Sequence, residues 1–351
     1  MQNNNQHIVK EKQEARVALK AIDVLDEYAS KTLFVVNEQN KLVGSLTDGD
    51  IRRGLLSGRE ISQPIEKFMN TNFKFLKKSN NNLALIKEYR HAGINLIPLI
   101  DDDYHLLEVL DLKRTKTSLP ICALIMAGGK GERLRPLTDV TPKPMLKIGE
   151  KPIIEHNIDR LISYGIKDIY ISVKYLKEQI IDYFGNGESR GINIVYLEED
   201  QALGTIGALG LINKTDYIDI LVMNSDLLTN IDFEDFYNFY LENKADMALA
   251  SVPYHVNIPY AVLQTSGHII SSFSEKPSYT YYSNGGIYMM KVALKNLFER
   301  GKFFNATDLM DKVIGDKSSN LIHYPLLGYW LDIGKHQDFM KAQEDIKHIN
   351  F

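Results

Sequence analysis

The chain has 351 residues, of which 44% are apolar and 25% charged, with a formal net charge of −4 and one cysteine. That length leaves room for two domains, the composition is ordinary for a globular protein, and the near-balanced charge gives no reason to expect a nucleic-acid partner. A site for a polyanion must then be a local cluster of Lys and Arg, while a lone cysteine excludes an intrachain disulfide and fits a reducing compartment.

The opening Met1-Gln2-Asn3-Asn4-Asn5 lacks the basic-then-apolar pattern of a signal peptide, and no apolar stretch approaches the length of a membrane span. A cytoplasmic protein with no membrane contact is expected. The first ten or so residues read as disordered. A helical pattern follows through Val17, Leu19, Ala21, Ile22 and Leu25, then strands 32–36 and 42–46 around a turn at 37–41, then Thr47-Asp48-Gly49-Asp50 and a helical 51–56. A weaker copy comes later: helix 83–90, strand 95–100, the acidic turn Asp101-Asp102-Asp103 and strand 106–110. This is an internal repeat of about sixty residues, each unit a helix plus a small β-pair.

The polar run Lys113–Ser118 reads as a linker, dividing the chain into 1–118 and 119–351. Beyond it, fully apolar strands (121–127, 168–173, 192–197, 218–223, 247–252) alternate with helical segments. That alternation predicts an α/β domain on a mostly parallel sheet, with ligands beyond the carboxyl ends of the strands. Cys122, inside the first of these strands, reads as a buried small hydrophobe.

The loop after that strand is Gly128-Gly129-Lys130-Gly131-Glu132-Arg133-Leu134-Arg135-Pro136-Leu137-Thr138, with Thr141-Pro142-Lys143-Pro144 beyond. Glycines let backbone N–H groups approach a phosphate chain, and cationic side chains neutralise it. The Gly-Lys-Ser/Thr that closes a P-loop is absent, and Leu134 stands where a dinucleotide fingerprint needs its third glycine. The string Gly-Gly-x-Gly-x-Arg-Leu-x-Pro-Leu-Thr followed by Pro-Lys-Pro resembles the signature of the sugar-1-phosphate nucleotidyltransferases, over most of residues 120–340.

That resemblance implies a Rossmann-like (GT-A-like) fold and a reaction in which a sugar-1-phosphate attacks the α-phosphorus of an NTP. It implies that Gly128, Gly129 and Gly131 cradle phosphates and that Arg133 and Lys143 bind them. Asp226, in Asn224-Ser225-Asp226, and Asp332, in Trp330-Leu331-Asp332-Ile333-Gly334, would hold one Mg²⁺. Glu275 and Lys276, in Glu-Lys-Pro, with Ala261 and Asn284, match sugar-contacting positions; Ala261 replaces a glycine. The segment 198–205 is similar to the family's base-reading loop and supplies Glu199, Gly204 and Thr205. Glutamine stands at the place of Glu199 in uridylyl- and thymidylyltransferases, whereas a carboxylate suits the paired N–H donors of guanine. GTP is therefore the expected nucleotide. A solvated loop acid, a pyrimidine-using enzyme and a nucleotide sensor with an inactive transferase domain stand as alternatives.

The N-terminal repeat resembles a CBS (cystathionine β-synthase-type) domain pair over roughly residues 10–115. Thr47 and Asp50 match a motif that holds the ribose of an adenosine nucleotide; Asp111 and Arg114 replace them in the second copy. The pair would either bind an adenine nucleotide or mediate dimerisation, and a homo-oligomer is expected. The domain order and the Glu199 loop are similar to the CBS-fused glucosamine-1-phosphate guanylyltransferases of legionaminic acid biosynthesis.

Overall fold

The computed structural model describes residues 4–25, 31–79, 83–113 and 115–349. Arg114, half of the altered motif in the second repeat, lies outside them. The chain divides into two compact units, Met1–Leu119 with Ser163–Gly165, and Pro120–Ile162 with Ile166–Phe351.

The first unit is built twice over. Strand β1 (Ile8–Lys10) runs parallel to β2 (Thr32–Val36), with helix α1 (Ala15–Asp23) between them, and β3 (Leu42–Thr47) returns antiparallel to β2 before helix α2 (Asp48–Leu56). The second repeat sets β4 (Leu76–Lys77), α3 (Leu83–His91), β5 (Leu96–Ile100) and β6 (Leu106–Asp111) in the same order. Two expectations are corrected here. The segment read as disordered forms a 3₁₀ turn from Asn4 and then β1, because His7 is buried with its Nδ1 2.9 Å from the Thr32 carbonyl. Each repeat also has three strands rather than two; β1 and β4 are too short to show an alternating pattern.

Turn chemistry explains how the repeats join. Asn37 Oδ1 accepts from the N–H groups of Gln39 and Lys41, and Asp101 Oδ1 accepts from those of Asp103 and His105. Asn40 and Tyr104 close these turns in left-handed conformation, at φ 61° and 67°. The turns then bond each other reciprocally: Leu42 N–H donates to Tyr104 O, and Leu106 N–H donates to Asn40 O. Beneath them Phe34, Val36, Leu42, Ile100, Leu106 and Val109 share one buried cluster.

The second unit opens with β7 (Cys122–Met126), the two-residue hairpin strands β8 (Lys147–Ile148) and β9 (Lys151–Pro152), and helix α4 (Ile153–Ser163). Strand β10 (Asp168–Val173), helix α5 (Lys177–Phe184), β11 (Asn193–Glu198) and β12 (Asp219–Asn224) follow. Then come β13 (Leu227–Thr229), α6 (Phe233–Glu242), β14 (Met247–Asn257), β15 (Val262–Ser266), β16 (Ile269–Ser274) and β17 (Ser278–Lys291). Helix α7 (Ala306–Gly315), β18 (Leu321–Pro325), β19 (Trp330–Asp332) and α8 (His336–Asp345) complete it.

Seven strands form one sheet in the order β11-β10-β7-β12-β17-β14-β18, and only β17 runs antiparallel. The apolar runs of β7 and β12 are buried, as a sheet covered on both faces requires. Past Ser251 and Asn284, β14 and β17 continue as a bare two-stranded ribbon, which carries the β15–β16 hairpin at its tip. Among the described residues no helix is long and apolar enough to cross a membrane.

Cys122 is fully buried in β7, and burial pushes its thiol up to about 12. The native protein should resist iodoacetamide at pH 8 and react once unfolded in urea. Rapid labelling of the native chain would mean that β7 opens. Because the unfolded thiol ionises near ~8.5, stability should also fall as pH rises from there toward the folded value.

Candidate active site

Beyond the carboxyl ends of β7 and β12 lies a cavity of about 540 Å³. Its walls come from the glycine loop, from Lys143, from the 199–205 loop and from Asn224-Ser225-Asp226. The three loop glycines have different jobs. A Cβ on Gly129 would meet nothing within 4 Å, so this backbone is open to a ligand. On Gly128 it would come 2.8 Å from Glu199 Oε1, and on Gly131 2.8 Å from Lys143 Cβ. Gly131 also has φ +64°, which a side chain rarely adopts. Two of the three thus make room for the acid and the base beside them, and one faces the empty space.

Lys143 opens a 3₁₀ turn after Pro142 and is only 9% exposed. Its Nζ donates to Asp226 Oδ2 and lies 3.9 Å from Asp332 Oδ1. The two aspartates, far apart in sequence, meet because β13 pairs antiparallel with β19, setting Leu227 opposite Asp332. Asp226 O accepts from Ile333 N–H at 3.1 Å, and Trp330 Nε1–H donates to Gly285 O at 2.9 Å, tying β19 to β17. Arg133 approaches from the loop side; its guanidinium lies 3.5 Å from where a Cβ on Gly334 would sit. Burial and the neighbouring Asp226 carboxylate push the Asp332 carboxyl up, against the pull of Lys143 and Arg133.

This donor set suits a hard divalent cation. Asp332 Oδ1 is buried with no hydrogen-bond partner. Among the described residues no group of three or more His, Cys, Asp or Glu could form a metal cage. Two carboxylate donors fit Mg²⁺, which commonly takes one or two from protein and the rest from phosphates and water.

Glu199 is 8% exposed and fixed from within: Ser172 Oγ donates to its Oε1, and Leu203 N–H donates to Oε2 at 3.1 Å. The reading of a solvated loop acid therefore fails on burial. Gly204, at φ +77°, leaves room for Phe304 O, which a Cβ would approach to 2.6 Å. Thr205 Oγ1 accepts from Ala306 N–H at 2.8 Å. Thr205 and Asn224 also border a second cavity of about 290 Å³, with Asn284, Asn305, Trp330 and Asp332. There Asn284 donates to Tyr288 Oη at 2.9 Å and accepts from Gly286 N–H at 2.9 Å.

The other sugar-side residues sit apart. Ala261, Glu275 and Lys276 lie together where the long ribbon meets the β15–β16 hairpin, since Val262 pairs with Ser274 and Ile258 N–H donates to Pro277 O. All three are exposed and line neither cavity. Lys276 takes the left-handed conformation, at φ 44°.

Four further residues were not singled out by sequence: Asn157, Ser172, Asn224 and Asn305. Asn157 is 1% exposed on α4, and its amide donates to the carbonyls of Ser225 (3.3 Å) and Leu227 (3.0 Å), on either side of Asp226. The signal was present, because Asn157 interrupts the buried stripe Ile154, Ile158, Leu161 at helical spacing.

In the first unit Thr47 and Asp50 form the capping box of α2. Thr47 N–H donates to Asp50 Oδ2 at 2.8 Å, and Asp50 N–H donates to Thr47 Oγ1 at 3.3 Å. Arg53 takes the other carboxylate oxygen at 2.6 Å. A separate cavity of about 540 Å³ is lined by Leu19, Lys20, Ile22, Asp23, Lys31 and Asp48.

A family model described as nucleotidyl transferase matches residues 122–349, and one described as CBS domain matches residues 16–57. A mannose-1-phosphate guanyltransferase of Yarrowia lipolytica is 31% identical over 227 residues, 62% of this chain and 62% of that protein. The bifunctional protein GlmU of Methanocaldococcus jannaschii is 35% identical over 231 residues, 63% of this chain and 53% of that protein. A solved structure from Bacillus anthracis, described as a glucose-1-phosphate thymidylyltransferase in complex with sucrose, superposes with a TM-score of 0.54 at 25% identity, covering 66% of this chain and 97% of that one. The match thus takes in less than two thirds of the length of these curated relatives.

Two contrasts test the site. Gly129→Ala should fold normally yet weaken nucleotide binding, whereas Gly131→Ala should lose about 2 kcal/mol in urea unfolding through its strained φ and its collision with Lys143. Equal stability of the two variants would remove the steric account. Asn157→Leu should cost about 2 kcal/mol by leaving two buried carbonyls without a donor; a melting curve like that of wild type would show that these bonds hold nothing in place.

Proposed function

This chain belongs to the nucleotidyl transferase family, whose model spans residues 122–349, and we propose that it transfers a nucleotidyl group, GMP by preference, from an NTP to a sugar-1-phosphate. The observation that carries the reading is the cavity bordered at once by an open phosphate loop, the Lys143 ammonium and Asp226. A phosphate monoester has its second pKa near ~6, so the attacking oxygen is already ionised at neutral pH and needs no general base. It forms a bond to the α-phosphorus, and the bond to the departing pyrophosphate breaks. The protein's work is then to align anions that repel one another and to neutralise the charge they bring together.

In this reading Gly129 presents its backbone to the phosphates, and Arg133 and Lys143 offset their charge. Asp226 and Asp332 would hold Mg²⁺, which when bound supplies a Lewis acid and a charge partner for phosphate oxygens. Asn284, beside the second cavity, is placed to take the sugar-1-phosphate, and the resemblance assigns Ala261, Glu275 and Lys276, exposed on the ribbon, to the same substrate. The relatives named as mannose-1-phosphate guanyltransferases support GTP, as does the buried carboxylate of Glu199. The resemblance stated above favours glucosamine-1-phosphate and GDP-glucosamine for legionaminic acid synthesis, while those relatives make mannose-1-phosphate its first competitor. The CBS match supports a regulatory N-terminal unit; in this reading it takes an adenine nucleotide, in a cytoplasmic homo-oligomer, and dimerisation alone is the other role open to it.

Pyrophosphate release from a panel of NTPs crossed with sugar-1-phosphates should appear with GTP and one sugar, and only with Mg²⁺. Preference for UTP or dTTP would keep the chemistry and overturn the role of Glu199. Silence across the panel, with and without adenine nucleotides, would favour a nucleotide sensor. Asp226→Asn should abolish metal-dependent turnover; unchanged activity would remove that residue from the metal site.

A further inference from the structure

Ser172 lies near the end of β10, with β7 on one side and β11 on the other. Its main chain and side chain serve different neighbours. The Ser172 carbonyl accepts from Ala127 N–H at 3.0 Å, where β7 gives way to the glycine loop. Its hydroxyl donates to Glu199 Oε1, just past β11. Glu199 N–H donates in turn to Val173 O at 3.0 Å. One fully buried serine therefore sets the loop that opens onto the phosphates against the loop that carries the acid.

The chemistry of those bonds matters as much as their place. Both side-chain partners of Glu199, the Ser172 hydroxyl and the Leu203 N–H, are donors. They occupy one lone-pair site on each oxygen. A carboxylate has about four such sites, so each oxygen keeps acceptor capacity, and Glu199 borders the cavity. Two adjacent acceptors match the N1–H and N2–H₂ donors of guanine. Uracil and thymine present a carbonyl beside their N3–H, which would set one lone pair against another and leave a polar group unpaired.

We infer that Ser172 is a positioning residue for base selectivity: by donating to Oε1 it fixes the Glu199 carboxylate as a paired acceptor for guanine. The inference rests on the reading of Glu199 as the base-facing acid. Ser172 touches no nucleotide itself and acts only through that carboxylate.

The test is calorimetric binding of GTP, UTP and dTTP to the full chain with Mg²⁺ and no sugar-1-phosphate, for wild type, Ser172→Ala, Ser172→Cys and Ser172→Thr. The GTP-to-UTP affinity ratio should fall roughly tenfold in the alanine and cysteine variants and survive in the threonine variant, which keeps the hydroxyl. An unchanged ratio in Ser172→Ala, or equal weakening of all three nucleotides, would overturn the positioning role. Cysteine fills nearly the volume of serine with a weak donor, so it carries the comparison if the alanine variant does not fold. Wild type without a preference for GTP would instead overturn the reading of Glu199, before any variant is compared.

Discussion

The catalytic unit converges on a single ammonium group. Lys143 reaches Asp226 at the end of the central sheet and approaches Asp332 at the end of a separate small ribbon, while its own stem packs over Gly131. Three stretches of chain are thereby held to one point. Without the cation two half-buried carboxylates would face each other with their repulsion less offset. The architecture around it serves that junction. The β13–β19 pairing delivers one acid, Asn157 fixes the turn that carries the other, and the left-handed Gly131 leaves room for the base.

The same junction gives the site its electrostatic character. Lys143 is already engaged by Asp226, Arg133 stands nearby, and burial with the Asp226 carboxylate pushes the Asp332 carboxyl up. An arriving triphosphate would compete with Asp226 for Lys143, and a divalent ion would relieve both acids together.

Much of this was legible in the residues. The run Cys122–Met126 is apolar on both faces because helices and loops cover both sides of the sheet, and the loop after it carried the recognisable chemistry. Strands β1 and β4 were not legible, since two or three residues carry no periodicity and owe their form to pairing with β2 and β5. The long ribbon was missed for another reason. Tyr254, Tyr281 and Tyr282 are 63%, 60% and 54% exposed, so the usual apolar-in, polar-out signal is absent. Asn157 and Ser172 look like ordinary polar interruptions in a helix stripe and a strand. Their roles depend on carbonyls and a carboxylate supplied by loops distant in sequence, and spacing alone does not reveal such partners.

The reciprocal turn contacts of the first unit have a consequence for its folding. Phe34, Val36 and Leu42 complete their core only with Ile100, Leu106 and Val109 from the other repeat, and each turn supplies a backbone acceptor to the other. Each repeat also keeps a core of its own, and this shared cluster joins the two. The shared cluster and the paired turns thus reach beyond the stretch at 16–57 that sequence similarity delineates. A substitution at Leu42 or Leu106 therefore reaches both repeats at once.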